Sequence, residues 1–202
     1  MQRLVPAAGQ MYCEYSRPRK AQFGAAVGLI VILAALSSCH GSAPNVEGKP
    51  KLNLASSGIQ GGEMPKQSTC DGTNASPELA WSAPPVGTRS YALVAFDKDS
   101  PFGYSFTHWV LYDLPADKRE LPEGLLKQEQ LPDGSRQGPN DFDQTGYVGP
   151  CPPGKSAHHY VFTLYALDSI LNLPAGANRK QVEQALNGHV LAYGELIGSY
   201  QH

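Results

Sequence analysis

The sequence predicts a mainly β domain of sandwich size with a small helical end. Three observations carry that reading. Glycine (21) and proline (17) are abundant while charged residues make up only 17%, a composition that suits a turn-rich β protein. Three apolar runs, Ser90 to Phe96, Thr107 to Leu114 and His158 to Leu167, have the length and β-rich content of strands, and a helical spacing of apolar residues is clear only after Asp168. From Cys39 onward 164 residues remain, enough for one such domain.

Taken in order, the chain opens on Arg17, Arg19 and Lys20, followed by an apolar run from Ala21 to Leu36. That is the charged and apolar pattern of an export signal, and it is short of the roughly 20 apolar residues of a comfortable membrane span. Leu36-Ser37-Ser38-Cys39 resembles the bacterial lipobox, in which the cysteine is acylated and becomes the new first residue. The expectation is a signal peptide over 1–38, a lipidated Cys39 with a flexible tether over 39–51, and a domain over 52–202. The protein would then sit in a bacterial cell envelope, lipid-anchored to the membrane on its periplasmic or outer side. The leader holds a charge of +3, which leaves −5 for the rest of a chain whose total is −2. An acidic body gives no electrostatic reason to expect nucleic acid. With Cys13 in the leader and Cys39 acylated, Cys70 and Cys151 remain, a disulfide candidate in an oxidising compartment or two buried thiols.

Within the domain, Leu52 to Ile59 reads as a first strand, and 61–77 as a structured loop carrying the turn signals Asp71-Gly72 and Ser76-Pro77. Ser90 to Phe96 is apolar along most of its length, so a central strand is expected. It ends in Asp97-Lys98-Asp99-Ser100-Pro101, where two carboxylates could bind a metal, orient a histidine or cap a turn. Alternation along Thr107 to Leu114 puts His108, Val110 and Tyr112 on one face, with Trp109 and Leu111 on the other. The stretch 146–154, GYVGPCPPG, is too rich in glycine and proline for helix and makes a rigid loop. It delivers a strand in which His158, Tyr160, Phe162 and Leu164 share a side. Asn178 as N-cap, Val182, Ala185 and Leu186 at helical spacing and Gly188 past the end predict a helix over 179–187, with another turn or two of helix within Val190 to Ile197.

Asp97 and Asp99 at one strand end, His108 opening a second strand and His158 with Tyr160 opening a third are the parts of a shallow polar pocket. The runs CDGTNASPELAW, DKDSP, THW, NDF, GYVGPCPP, HHYVFTLYAL and GHVLAYGELIGSY together resemble the phosphatidylethanolamine-binding protein family, in its bacterial Raf-kinase-inhibitor-like branch. The resemblance covers Leu52 to Tyr200. It implies a large central antiparallel sheet, a smaller sheet, short carboxy-terminal helices and an anion-binding pocket at one end. Motif by motif, it points to Asp97, Pro101, His108, Gly149, Pro150, Cys151, His158 and Tyr160 as the ligand-binding set. Lys98 and Ser100 depart from the family's DPDAP turn, and His159 replaces its arginine.

The chemistry of such a set stands by itself. Two imidazoles and a phenol offer hydrogen-bond donors to a phosphate or carboxylate, and Asp97 can fix an imidazole tautomer or receive an ammonium group. A zwitterionic phosphoethanolamine satisfies both ends. No nucleophile elbow, HExxH, phosphate-binding loop or dinucleotide fingerprint is present, so a binding protein that needs no cofactor is expected rather than an enzyme. The expected partners are a small anionic or phosphorylated ligand or lipid headgroup, and the membrane through the amino-terminal lipid. A regulator that binds a protein partner, or a homodimer, is a second reading. A third is a hydrolase with His108 or His158 as base, Asp97 orienting it and a metal shared with Asp99.

Overall fold

The structure, a computed structural model, describes residues 43–202. The expected leader and lipobox-like run, with Cys39, lie outside the described residues. Eight strands and one helix follow in chain order: β1 (Leu54–Ala55), β2 (Leu79–Trp81), β3 (Ser90–Asp97), β4 (Phe106–Pro115), β5 (Glu120–Leu121), β6 (Arg136–Gly138), β7 (His158–Leu167), α1 (Arg179–Leu186) and β8 (Val190–Tyr200). All strand pairings are antiparallel. The large sheet has the order β6-β4-β3-β7-β8 and the small one β1-β2-β5.

The period of two along each long strand divides the apolar residues between two cores. Leu93 on β3, Trp109 and Leu111 on β4, and Phe162 and Leu164 on β7 face Leu54, Leu79, Trp81 and Leu121 from the small sheet, forming the sandwich interior. Val94, Val110, Tyr112, Tyr165 and Leu167 point the other way and are covered by Val182 and Leu186 of α1. The helix starts where its sequence signals place it. Asn178 accepts from the Gln181 amide at 3.0 Å, and the Gln181 side chain accepts from the Asn178 amide at 2.9 Å, a reciprocal capping box.

Three sequence expectations need correction. The apolar run from Val190 is no second helix, because it forms β8, paired with β7 from His158↔Tyr200 to Leu167↔Val190. Its glycines are the missed signal. A Cβ on Gly194 would lie 2.8 Å from the Leu52 carbonyl oxygen, and one on Gly198 would lie 2.5 Å from Met64 Sδ, so they admit the chain that packs across β8. The first strand shrinks from Leu52–Ile59 to Leu54–Ala55, since its pairing with the three-residue β2 is limited to Leu54↔Trp81 and Ala55↔Ala80. The stretch expected as a tether is docked at its carboxy-terminal end. Val46 packs against the helix-side core, the Tyr193 amide donates to Pro50 O at 3.1 Å, and the Leu52 amide donates to Tyr193 O at 2.6 Å.

Candidate functional site

The site is built where β3, β4 and β7 end side by side. Register pairs Asp97 with Tyr160 across β3 and β7, and Asp97 with Phe106 across β3 and β4. On β4 the pairing slips by one residue, from Ala95↔Trp109 to Phe96↔Thr107, which leaves His108 as the extra residue of a β-bulge. The bulge overturns the face expected for His108. Its ring meets the Tyr160 ring edge-on at 5.1 Å and the Phe106 ring at 5.3 Å, on the sandwich side of the sheet and away from Val110 and Tyr112. Simple alternation misplaces it because one inserted residue inverts the phase of everything before it.

Asp97, His108, His158 and Tyr160 are all buried. Asp97 uses each carboxylate oxygen separately. Oδ1 accepts from the Asp99 amide at 2.8 Å and caps the turn, while Oδ2 accepts from His158 Nδ1 at 2.7 Å. A carboxylate only accepts, so the His158 proton is on Nδ1. His108 Nδ1 lies 2.7 Å from the Val148 carbonyl oxygen and must donate for the same reason. Burial depresses the basicity of His108, a backbone acceptor at Val148 opposing it, so the ring is neutral and its Nε2 is an acceptor. The Tyr160 hydroxyl is pushed up by burial first and by Asp97 second, which keeps its proton on. The site therefore offers one carboxylate, one phenol donor and one imidazole acceptor, a different balance from two imidazole donors. His108 becomes a donor toward an anion only by taking up a proton.

Above this group lies a cavity of about 240 Å³. Of the expected site residues, Asp97, Pro101, His108, Gly149, Cys151 and Tyr160 line it. His158 and Pro150 do not. His158 stands behind Asp97 as its hydrogen-bond partner, and Pro150 holds the wall from outside, its carbonyl accepting from the Cys70 amide at 3.0 Å. Asp99 is turned away as well, bound through Oδ2 to the His159 amide at 2.8 Å and to His159 Nδ1 at 2.6 Å. Lining residues not read from the sequence as site members are Ser100, Phe102, Phe106, Phe142, Pro152 and Pro153. The NDF run is a visible signal for Phe142, but the convergence of its loop on β4 is tertiary. No lysine or arginine lines the cavity among the described residues.

The wall is tied to the 66–77 loop. Cys70 and Cys151 form a disulfide with Cα atoms 5.4 Å apart, across 81 residues of sequence. The Gly149 amide donates to Asn74 Oδ1 at 2.6 Å, and Tyr147 OH donates to Ser68 O at 2.7 Å. Glycine is required at 149 by close approach, since a Cβ there would lie 2.3 Å from Ser68 O.

Comparison with known proteins agrees with this architecture. A UPF0098 protein of Aquifex aeolicus is 48% identical over 143 residues, covering 70% of this chain and 82% of the relative. LppC of Mycobacterium tuberculosis, a candidate lipoprotein by its name, is 37% identical over 142 residues, 70% of this chain and 67% of that one. The crystal structure of Escherichia coli YbcL, described as a new member of the mammalian PEBP family, superposes with a TM-score of 0.69 at 32% identity, covering 75% of this chain and 99% of the crystallised chain. The family profile described as "Phosphatidylethanolamine-binding protein" matches residues 55–201, and the chain belongs to that family.

Proposed function

We propose that the domain binds a small phosphorylated or otherwise anionic headgroup, of which phosphoethanolamine is the simplest form, in the cavity over Asp97, His108 and Tyr160. The observation that carries this reading is the buried Asp97–His158 pair at 2.7 Å beneath that cavity. His158 orients the carboxylate, and the carboxylate can receive an ammonium group. The phosphate end accepts from Tyr160 OH and from His108 Nε2 once that ring is protonated. Both charges of a zwitterion then find partners, whereas a bare anion would face Asp97 with no lining lysine or arginine to offset it. Binding without turnover is part of the same reading.

The amino-terminal lipid belongs to the proposal too. Acylation at Cys39 would place the domain at the surface of an envelope membrane, and the similarity to LppC supports it. The test of the pocket is ligand protection. Phosphoethanolamine at 100 times its dissociation constant raises stability by about 2.7 kcal/mol if it binds only the folded state. That protection should disappear in Asp97→Ala and shrink to about half or less in Tyr160→Phe; equal protection of the variants would refute the assignment.

A further inference from the structure

The cavity wall meets metal-ligating side chains from three separate segments of the chain. Cys70 comes from the 66–77 loop, Cys151 from the wall itself and His202 from the residues after β8. Cys70 Sγ lies 3.9 Å from His202 Nδ1, and the two sulfurs and the imidazole all offer ligand atoms within 4.8 Å of one another. Among the described residues no other group of three or more histidine, cysteine or acidic ligands comes so close together. Asp71 adds a fourth donor, its Oδ2 lying 3.0 Å from His202 Nδ1. Hydrogen bonds from Tyr200 and then His202 hold the Asp71 carboxyl below its usual range, so it is an anion. Cys70, Cys151 and His202 are exposed, open to a reductant and to an ion alike.

We propose that the reduced protein binds zinc here, through Cys70, Cys151 and His202 with Asp71 as the fourth ligand, so that a metal ion replaces the disulfide as the staple of the wall. The proposal stands apart from the headgroup reading. In the oxidised protein the two sulfurs are bonded to each other. A dithiol reductant transfers two electrons and two protons to that bond, becomes a disulfide itself and leaves Cys70 and Cys151 as thiols. Zinc displaces both thiol protons to solvent and binds the thiolates. His202 moves its proton from Nδ1 to Nε2, which frees Nδ1 and Asp71 Oδ2 for the metal, while Tyr200 OH orients the carboxylate from outside. Only small movements are needed. Zn–S bonds of about 2.3 Å and Zn–N bonds of about 2.0 Å give tetrahedral edges of about 3.8 Å between sulfurs and about 3.5 Å between sulfur and nitrogen. Side chains on Cα atoms 5.4 Å apart reach the first by rotation, and the second lies a few tenths of an ångström inside the present Sγ–Nδ1 distance. The backbone is held without the disulfide, because Tyr147 OH, the Gly149 amide and the Cys70 amide still donate to Ser68 O, Asn74 Oδ1 and Pro150 O. Two thiolates, an imidazole and a carboxylate suit zinc, whereas calcium and magnesium take oxygen ligands.

The test uses the full chain in detergent, carrying Cys13→Ser/Cys39→Ser so that Cys70 and Cys151 are its only cysteines. It is reduced anaerobically with a water-soluble phosphine, which ends as the phosphine oxide and adds no competing thiol. Freed of reagent, it is titrated with cobalt(II) as a spectroscopic stand-in for zinc. The reduced protein should take up a single equivalent, with thiolate-to-cobalt charge-transfer bands in the near ultraviolet and the intense visible bands of tetrahedral cobalt. Zinc should bleach them, and the disulfide form should show neither. His202→Ala should weaken binding by roughly 10- to 100-fold, and Asp71→Asn by about tenfold. Zinc should raise the melting temperature of the reduced protein and leave that of the disulfide form, and of Cys70→Ser/Cys151→Ser, unmoved. A folded reduced protein that takes up no cobalt overturns the proposal. So does a reduced protein that unfolds and is not refolded by zinc, or uptake that persists in Cys70→Ser/Cys151→Ser. The weak bands of octahedral cobalt, or an affinity unchanged in His202→Ala, defeat it as well.

Discussion

Asp97 Oδ2 accepts from His158 Nδ1 at 2.7 Å, with both side chains about nine-tenths buried. The pair joins the end of β3 to the start of β7 beneath the cavity. Neither partner is easily removed alone, because the other would keep a buried polar atom without its bond.

Asp97→Asn should therefore lower stability by about 1–3 kcal/mol, read from denaturant midpoints, and should also abolish protection by phosphoethanolamine. The amide can still cap the turn through its oxygen but places a donor group against His158 Nδ1. A variant of unchanged stability would mean that the pair contributes nothing to the fold.

Tyr160→Phe isolates the phenol. The ring packs against His108 edge-on and keeps that contact, so melting should shift little. A hydrogen bond to a charged group contributes about 1.5–3 kcal/mol, so affinity for a phosphorylated ligand should drop roughly 10- to 100-fold by calorimetry. Undiminished affinity would take Tyr160 out of the site.

The depressed basicity of His108 makes two pH effects run in opposite directions. Above about pH 6.5 the ring is neutral in both folded and unfolded chains, and it contributes no pH dependence. As pH falls through that value the unfolded ring protonates while the folded ring resists, so stability declines toward the folded-state pKa. Anion binding favours the protonated ring, so affinity should rise over the same interval. O-sulfoethanolamine, whose sulfate does not titrate there, keeps the ligand charge fixed. Titrations from about pH 7.5 to about 5.5 should show affinity climbing by up to roughly tenfold per pH unit, and the slope should vanish in His108→Asn. A flat profile in the parent protein would exclude proton uptake at His108.

Breaking the Cys70–Cys151 disulfide should cost about 2–4 kcal/mol, since it closes a long loop in the unfolded chain. The pocket should survive. Three hydrogen bonds still hold its wall to the 66–77 loop, from Tyr147 OH to Ser68 O, from the Gly149 amide to Asn74 and from the Cys70 amide to Pro150 O. Cys70→Ser/Cys151→Ser should melt earlier yet retain ligand protection. Gly149→Ala should do more local harm, because its methyl group has only 2.3 Å to the Ser68 oxygen and the wall must shift.

Much of this architecture is legible in the sequence where one local rule dominates. β7 runs from His158 to Leu167 as its alternation sets it, and α1 begins after Asn178 because its cap is written in the side chains. His108 is different. Its facing depends on a bulge created by pairing with β3, and nothing within THWVLYDL marks the slip. β8 is hidden for a related reason, since Val190 to Ile197 is apolar on both faces and its two glycines answer to Leu52 and Met64, far away in the chain. The acidic turn, both histidines and the tyrosine can be named from sequence, but the division of labour between His108 at the cavity and His158 behind Asp97 requires the fold. Phe102 and Phe106 escape notice because an aromatic residue beside a turn carries no sign of which opening it will border.

A crystal soaked in phosphoethanolamine tests the central claim most directly. The account predicts electron density in the cavity beside β3, β4 and β7, the amine within hydrogen-bond distance of Asp97 and the phosphate contacting Tyr160 OH and His108 Nε2. Density seated elsewhere on the molecule, with that cavity unfilled at saturating ligand, would contradict it.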